Sequence, residues 1–264
     1  MSKPPRFFIT PDQVRDPYIS LKDEDVRHIR TVLRMQPGEL LTLLDGQGRE
    51  YTVRITTIER TEIDTEIIDR KERQPSLPRI VLGQGIAKAD KMDWIVQKAT
   101  ELGVSSIAPL VTERTIVKVR DEEKRVVRWQ KIAREAAMQS GRPDIPVVRE
   151  IMNYRDFLTR TPLDPPLARG EGKGGGSDAP KGTGQTLLLM PWEEGMQPIK
   201  EVLQGRQGNE KVVVLIGPEG GFSRGEADLA KKQGFHLVSL GPNILRTETA
   251  AIAVLSMIGY EMQR

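Results

Sequence analysis

Three short loops, each directly after an apolar run, carry the residue types best suited to binding and catalysis. They are 189–193 (Leu-Met-Pro-Trp-Glu), 216–222 (Ile-Gly-Pro-Glu-Gly-Gly-Phe) and 240–250 (Leu-Gly-Pro-Asn-Ile-Leu-Arg-Thr-Glu-Thr-Ala). Glycines let a ligand approach the backbone, whose N–H and C=O groups can recognise an adenine or a ribose. The carboxylates and the guanidinium in the same loops could accept a proton or stabilise developing charge.

The same residues also have a purely structural interpretation. The pattern Gly-Pro-x-Gly-Gly at 217–221 is equally consistent with a tight strand-to-helix turn. Thr247 or Thr249 could cap a helix, and Glu248 would favour the helix dipole. Arg246 does not fit this interpretation, because a cation near a helix N-terminus meets the positive end of the dipole. That mismatch favours a functional role for Arg246.

Several catalytic classes lose support from composition. The chain has no cysteine and only two histidines, His28 and His236. Disulfides, thiolate nucleophiles and Cys- or His-rich metal sites are therefore excluded, and we expect no metal cofactor. None of the three loops contains the Gly-x-Gly-x-x-Gly or Gly-Lys-Ser/Thr pattern, so dinucleotide and P-loop phosphate binding are not favoured there.

The N-terminal part of the chain is predicted to form short strands. Candidate strands cover 6–9, 40–44, 51–58 and 63–68, and Asp45-Gly46-Gln47-Gly48 has the composition of a hairpin turn. One helix is predicted over 23–33. Several short strands with tight turns indicate a small barrel. The charged and proline-containing residues 70–78 are predicted to be a linker.

From residue 79 the pattern changes to alternating strands and helices. Strands are predicted at 79–86, 106–111, 186–190, 211–216 and 236–240, and helices at 90–102, 121–138, 223–232 and 247–262. Ser223 and Glu226 form a candidate capping box. This alternation indicates an α/β domain with a mainly parallel sheet, in which the three loops follow the carboxyl ends of strands. Residues 162–186, rich in Gly, Pro and Ser, are predicted to be a disordered surface insertion.

Charge and hydropathy predict a cytoplasmic protein with a polyanionic partner. Mean hydropathy is −0.42, no apolar run is long enough to span a bilayer, and the first residues lack the apolar segment of a secretory signal. Residues 79–160 hold 16 basic against 11 acidic residues, whereas 1–73 and 161–264 each have a net charge of −1. The basic excess in the middle of the chain is compatible with a phosphate backbone, although charge runs are usually solvated faces.

The loops at 217–222 and 240–250 resemble the signature of the ribosomal RNA small subunit methyltransferase E family, the 16S rRNA uracil-N3 methyltransferases of the SPOUT superfamily. Further similar segments are Arg6-Phe7-Phe8, His28-x-x-x-Val32-Leu33-Arg34, 97–104 (Gln-Lys-x-Thr-Glu-Leu-Gly-Val), Thr112-Glu113-Arg114 and Gln139-Ser140-Gly141-Arg142. The resemblance spans nearly the whole chain. Two departures are the length of 162–186 and Met138, which stands where we expect Glu.

The resemblance implies a fold, a cofactor and partners. A PUA-like RNA-binding barrel (residues 1–73) would precede a SPOUT α/β domain (residues 74–264) with a C-terminal trefoil knot. The protein would be a homodimer that uses S-adenosyl-L-methionine to methylate N3 of a uridine in 16S ribosomal RNA within the small ribosomal subunit, with no membrane partner. The apolar 247–262 helix would suit a two-fold contact, and a buried core helix is the alternative.

Site residues also follow from the resemblance and from the loop chemistry. Arg246 and Glu219 are the predicted catalytic residues, as a fixed cation near the uracil oxygens and a candidate base. Cofactor binding is predicted for Leu189, Met190, Pro191, Glu193, Leu215, Ile216, Gly217, Pro218, Glu219, Gly220, Gly221, Leu240, Gly241, Asn243, Ile244, Leu245, Arg246, Thr247, Thr249 and Ala250. RNA contacts are predicted for Arg6, Arg30, Arg34, Lys88, Lys91, Lys98, Arg114 and Arg142, with Arg30 and Arg34 one helical turn apart.

Two other functions stay open on the sequence alone. One is a SPOUT methyltransferase with a different target atom, such as a ribose 2′-OH or a guanine. The other is an RNA-binding module that has lost catalysis and uses the knot only to dimerise.

Overall fold

The computed structural model describes residues 4–72, 78–117, 121–159, 186–195, 197–206 and 211–262. The chain divides into two units, one of Met1–Pro75 with Arg134–Ile145 and one of Ser76–Ala133 with Pro146–Arg264. The predicted insertion at 162–186 lies outside the described residues except for Thr186. No helix among the described residues is both long and apolar enough to cross a bilayer.

The first unit is built on a six-stranded sheet with the order β1-β4-β5-β6-β3-β2. The strands are β1 Arg6–Phe8, β2 Val14–Arg15, β3 Tyr18–Lys22, β4 Leu40–Leu44, β5 Arg49–Ile58 and β6 Glu62–Glu72. Only β1 and β4 run parallel; the other neighbours are antiparallel. Every second residue of β3 and of much of β5 is buried, which is the pattern of a sheet with one face on a core.

Local contacts explain the predicted hairpin between β4 and β5. The Asp45 carboxylate accepts backbone hydrogen bonds from Gln47 (2.8 Å) and Arg49 (2.9 Å), and Gly46 and Gly48 have positive φ angles of 70° and 107°. Glycine adopts these angles without a steric penalty. The predicted turn is therefore confirmed.

Two local predictions in this unit are wrong, namely the assignment of residues 70–72 to a linker and the spacing of Arg30 and Arg34. Residues 70–72 belong to β6, which continues to Glu72, and residues 69–72 pair with 49–52 of β5. The helix predicted over 23–33 is confirmed in its bounds, and it consists of an α-helix, α1 Asp23–Arg27, followed by a π-helix, His28–Leu33. Arg34 follows with φ 53°, in the left-handed region, so it does not lie one regular helical turn from Arg30.

The second unit is a parallel sheet with helices. Its eight strands are β7 Arg79–Gly85, β8 Val104–Val111, β9 Val147–Val148, β10 Met152–Asn153, β11 Leu187–Pro191, β12 Gln197–Pro198, β13 Lys211–Ile216 and β14 His236–Ser239. The order is β10-β8-β7-β13-β11-β14-β12, with β9 also paired to β8, and every pairing is parallel. The predicted α/β architecture is confirmed.

The helices of the α/β region are α2 Asp90–Glu101, α3 Glu122–Ser140, α4 Tyr154–Thr159, α5 Ile199–Leu203, α6 Arg224–Lys232 and α7 Thr247–Met262. The buried residues of α7 recur every three or four positions and join the same core as the buried face of α2. One face of α7 therefore packs in the core, as the alternative of a buried core helix predicted. The short elements β2, β3, β9, β10, β12, α4 and α5 were not predicted.

Candidate active site

The three loops predicted to carry the chemistry lie side by side. β11 pairs with β13 on one side and with β14 on the other, all parallel, so the loops that follow these strands leave the same edge of the sheet. They enclose a cavity of about 160 Å³. The arrangement is the one that ligand sites of open α/β sheets use.

Most of the predicted cofactor-binding residues line this cavity. They are Pro191, Glu193, Ile216, Gly217, Pro218, Glu219, Gly221, Leu240, Gly241, Asn243, Ile244, Leu245, Thr247 and Ala250. The prediction omitted Trp192, Phe222, Ser239 and Pro242, which also line it. Trp192, Phe222 and Pro242 lie inside the same loops, and Ser239 is the last residue of β14, so position in the sequence was the only available signal.

The remaining predicted residues do not line the cavity. Leu189, Met190 and Leu215 are fully buried within strands, so their side chains belong to the core. Gly220 faces Arg114 instead, while Arg246 and Thr249 are exposed.

Backbone crowding explains why glycines occur around the second loop. A Cβ atom at Gly85 would lie 2.5 Å from Cδ of Pro218, and one at Gly217 would lie 2.9 Å from the carbonyl carbon of Gly221. Gly221 has φ 66°, and its N–H donates to the carbonyl of Pro218 at 2.9 Å. The segment is a tight turn, as the structural interpretation predicted, and the same turn forms a wall of the cavity.

A buried chain of hydrogen bonds connects the second loop to the start of α7. The hydroxyl of Thr247 donates to the carbonyl of Gly217 at 2.5 Å, and the Nε2 group of Gln84 donates to that hydroxyl at 3.0 Å. Gln84 is fully buried and Thr247 is 5% exposed. Buried hydrogen bonds of this kind restrict the loops to one arrangement.

The loop after β13 is also held by Arg114 and, through the 113–114 segment, by Glu226 of α6. The Arg114 guanidinium donates to the carbonyl of Gly220 at 2.8 Å. The buried carboxylate of Glu226 accepts the backbone N–H groups of Glu113 and Ser223, both at 2.9 Å, and the Ser223 hydroxyl accepts the N–H of Glu226 at 3.1 Å. The predicted capping box is confirmed, and the 113–114 segment is joined to both the loop and α6.

Two carboxylates share one lysine beside the cavity. The Lys91 ammonium lies 3.6 Å from Glu219 and 3.5 Å from Glu248. Burial by itself raises the pKa of Glu219, but the backbone N–H groups of Lys88 (2.9 Å) and of Glu219 itself, together with the Lys91 charge, outweigh burial and leave this pKa below its ordinary value. Glu219 is therefore ionised at neutral pH.

Comparison with known proteins agrees with this geometry. A family model described as an RNA methyltransferase domain matches residues 73–259, and one described as an RNA methyltransferase PUA domain matches residues 21–68. Ribosomal RNA small subunit methyltransferase E of Bacillus subtilis is 29% identical over 98% of this chain and 97% of its own length. The enzyme of the same name from Aquifex aeolicus is 28% identical over 94% and 96%.

A solved structure is similar over nearly all of the chain. Ribosomal RNA small subunit methyltransferase E from Neisseria gonorrhoeae, bound to S-adenosyl methionine, is 33% identical and has a TM-score of 0.79, with 98% of each chain covered. The chain belongs to the ribosomal RNA small subunit methyltransferase E family. The resemblance seen in the loops and the PUA-like N-terminal region are thereby confirmed.

Arg246 is placed beside the cavity rather than in its wall. Its neighbours Leu245 and Thr247 line the cavity. Its carbonyl accepts the N–H of Ala250 at 2.8 Å, so it stands at the N-terminal boundary of α7. The side chain is exposed and forms no hydrogen bond or ion pair with the residues that the structure describes.

The residues predicted to contact RNA divide between the two units. Arg6, Arg30, Arg34 and Arg142 lie in the first, and Lys88, Lys91, Lys98 and Arg114 in the second. Arg30, Arg34, Lys88 and Arg114 are exposed. Lys98 pairs with Glu101 at 2.8 Å.

Arg142 differs from the other predicted RNA contacts. Its side chain is only 8% exposed and pairs with Asp144 at 2.6 Å. It does not present a free cation to a phosphate, and the structure gives it an internal role.

No cluster of His, Asp or Glu within the described ranges could hold a metal ion.

Proposed function

We propose that this protein transfers a methyl group from S-adenosyl-L-methionine to N3 of a uridine in 16S ribosomal RNA of the small subunit. The observation that carries the proposal is the cavity formed by the loops after β11, β13 and β14, lined by the residues of both signature segments. An rRNA substrate also supports a cytoplasmic location.

The cavity suits this cofactor chemically. Its loops contain glycines at 217, 221 and 241, which leave backbone groups accessible, and apolar side chains at 216, 240 and 244 that can pack on an adenine. Glu193 and Glu219 are the acidic residues of the lining. A carboxylate that stays ionised favours the positive charge of a sulfonium donor.

The chain's own residues must align an attack and stabilise charge. The donor supplies a methyl group that its sulfonium already activates, so no covalent enzyme intermediate is required. Loss of the N3 proton leaves negative charge on the uracil oxygens, and we propose Arg246, whose neighbours Leu245 and Thr247 line the cavity, as the cation that stabilises it.

Glu219 has two possible contributions, and its contacts favour one. As a general base it would work best with a pKa near the working pH. Its pKa is instead lowered, and its Oε1 already accepts the Lys88 N–H. We therefore assign Glu219 mainly to attracting the positively charged donor, with proton acceptance as the second role to be tested.

On the RNA side we propose contacts from Arg6, Arg30, Arg34, Lys88, Lys91, Lys98 and Arg114. Exposed guanidinium and ammonium groups bind phosphates, and bases read on their Watson–Crick edge must be unpaired or flipped out. Arg142 is withdrawn from this set because it is buried against Asp144.

The organisation we propose is a PUA-like domain at 1–73, a SPOUT domain at 74–264 and a homodimer with a trefoil knot. The knot is proposed from the family resemblance, and the strand order, in which the late strand β13 lies between β7 and β11, is compatible with it. Residues 134–145 belong by their contacts to the first unit, although 134–140 are the end of α3, which begins in the second.

Radiolabelled methyl transfer tests the function. The full chain is incubated with tritiated S-adenosylmethionine and either small ribosomal subunits or extracted 16S rRNA, and the product nucleosides are separated. Label in 3-methyluridine supports the proposal. Label in a 2′-O-methylated nucleoside or a methylguanosine would assign another target atom, and RNA binding without label would identify a binding module.

A further inference from the structure

A second cavity lies in the first unit, apart from the residues of the candidate active site. Its volume is about 330 Å³, within the range of ~300–1,000 Å³ typical of ligand sites. It is lined by residues from β1, the π-helix and the end of α3, among them Arg6, Phe7, His28, Leu33, Met138 and Gln139.

Two rings form one side of this cavity. Phe7 is only 3% exposed, and the exposed His28 ring packs on it edge-to-face, with centroids 5.6 Å apart and planes at 89°. The buried Phe7 fixes the place of the imidazole, which still reaches solvent. An aromatic pair held in this way offers a stacking surface that a base can use.

The π-helix that contributes His28 and Leu33 to the cavity exposes apolar side chains. Val32 is 68% and Leu33 38% exposed, and both belong to the π-helix His28–Leu33. A π-helical turn is rare and less favourable than an α-helical one, and Arg34 follows it in a left-handed conformation. The fold thus holds two apolar residues in water at a strained turn.

Basic groups lie beside these apolar ones. Arg6, which lines the cavity, donates from Nη1 to the carbonyl of Gly141 at 2.9 Å, and Arg30 donates to the carbonyl of Arg60 at 3.2 Å. Arg34 is exposed at the end of the π-helix. Each guanidinium has five N–H donors, so anchoring one donor leaves others for a phosphate.

We propose that this cavity binds one unpaired base of the RNA substrate, with the flanking phosphates held by Arg6, Arg30 and Arg34. The His28 ring, held in place by Phe7, and Leu33 would contact the base faces, and the amide of Gln139 would meet its edge. Single-stranded RNA is recognised by this combination of stacking, edge hydrogen bonds and cations. The proposal rests on an RNA substrate, as the proposed function does.

The first test introduces a negative charge at one of two leucines of nearly equal exposure. Leu33→Glu puts a carboxylate at the cavity, and the control Leu40→Glu does the same on β4, where Leu40 is 39% exposed and does not line the cavity. Equilibrium binding of extracted 16S rRNA to the full chain is measured for both variants. We expect Leu33→Glu to weaken binding about 10- to 100-fold and Leu40→Glu less than about 3-fold.

A second variant tests stacking without adding charge. His28→Ala removes an exposed ring and should weaken RNA binding about 5- to 50-fold while the salt dependence of binding stays the same. The melting temperature and the affinity for S-adenosylmethionine should not change for any of the three variants.

Binding is read without methyl transfer, so this proposal and the proposed function can fail separately. If the wild-type chain binds 16S rRNA and both cavity variants bind as tightly, the base site is refuted, whether or not methyl is transferred. Weaker binding to intact subunits alone would assign the cavity to a protein partner and also overturn the proposal. A wild-type chain that binds no RNA would overturn both.

Discussion

The hydroxyl of Thr247 and the carbonyl of Gly217, thirty positions apart in the chain, are joined by a hydrogen bond of 2.5 Å. Both residues line the cavity. The bond fixes the first residue of α7 to the turn after β13, and Gln84 in β7 supports it from the buried side. This hydrogen bond between two residues of the protein therefore helps to set the shape of the cavity without any contact from the cofactor.

Replacing Thr247 by valine tests this connection. The change keeps the side-chain shape and removes the hydroxyl, so the Gly217 carbonyl and the Gln84 amide each lose one partner. The Gln84 amide keeps its hydrogen bond to the carbonyl of Gly85 at 2.8 Å and a longer one to that of Gly217 at 3.5 Å. Loss of a typical hydrogen bond costs about 0.5–1.5 kcal/mol. We expect a lower melting temperature and cofactor affinity reduced about 10-fold by calorimetry.

The matched control is Ser256→Ala, which removes an exposed hydroxyl from the same helix. It should bind the cofactor like the wild type. Equal affinities for Thr247→Val and the wild type would show that the hydrogen bond does not shape the site.

Gly220→Val tests the outer support of the second loop. A Cβ at Gly220 would lie 3.2 Å from Cβ of Arg114, whose guanidinium holds the Gly220 carbonyl. A β-branched residue should displace Arg114 and loosen the loop without unfolding the domain, since the site is at the surface. We expect a melting curve close to that of the wild type and weaker S-adenosylmethionine binding. Unchanged affinity in the folded variant would refute this.

The lowered pKa of Glu219 predicts a pH dependence of stability. Because the folded-state pKa lies below the ordinary value of 4.5, the ionised form stabilises the fold at pH values above 4.5, and this contribution is lost as the pH falls through the folded pKa. The free energy of unfolding of Glu219→Gln should therefore fall below that of the wild type near neutral pH and converge with it in acid.

Urea denaturation between pH 3 and pH 7 measures this difference, with exposed Glu201→Gln as the control. A difference in the free energy of unfolding between wild type and variant that does not change with pH would contradict the lowered pKa of Glu219.

Methyl transfer by Glu219→Gln separates the two proposed roles of Glu219, donor attraction and proton acceptance. Lost cofactor affinity indicates charge attraction, and a lost pH dependence of the rate indicates a base.

The sequence predicted the long elements of this fold well, for a physical reason. Buried strands such as β13 and amphipathic helices such as α2 repeat their apolar residues over many positions, so their period is visible. The short elements β2, β9 and α5 span too few residues to show a period. The π-helix was hidden within a helical pattern, because its wider turn depends on how His28–Leu33 packs.

The candidate site was predictable in its loops but not in its internal connections. Each loop directly follows an apolar run, and the loops at 216–222 and 240–250 also contain glycines. The contact between Gln84 and Thr247 joins residues 163 positions apart, and a single sequence carries no signal for such a pair. The burial of Arg142 was also invisible, since a basic residue in a basic region has the same composition whether or not Asp144 pairs with it.

Arg246 provides the decisive test of the catalytic proposal. Its position at the start of α7 disfavours a cation by ~0.3–1 kcal/mol, so Arg246→Ala should leave the melting temperature unchanged or slightly raised. Lys232→Ala is the opposite control. It removes an exposed cation from the last turn of α6, where the helix dipole favours a cation, so it should slightly lower the melting temperature.

If Arg246 stabilises charge on the uracil ring, its removal acts on the transition state and not on binding. The single-turnover rate of Arg246→Ala at saturating RNA and cofactor should then fall ~10²- to 10³-fold, with both affinities little changed. Arg246→Lys should recover only part of the rate, because an ammonium lacks the planar fork of a guanidinium. A loss confined to RNA affinity, and dependent on salt, would assign Arg246 to docking. An unchanged single-turnover rate would remove it from the catalytic residues.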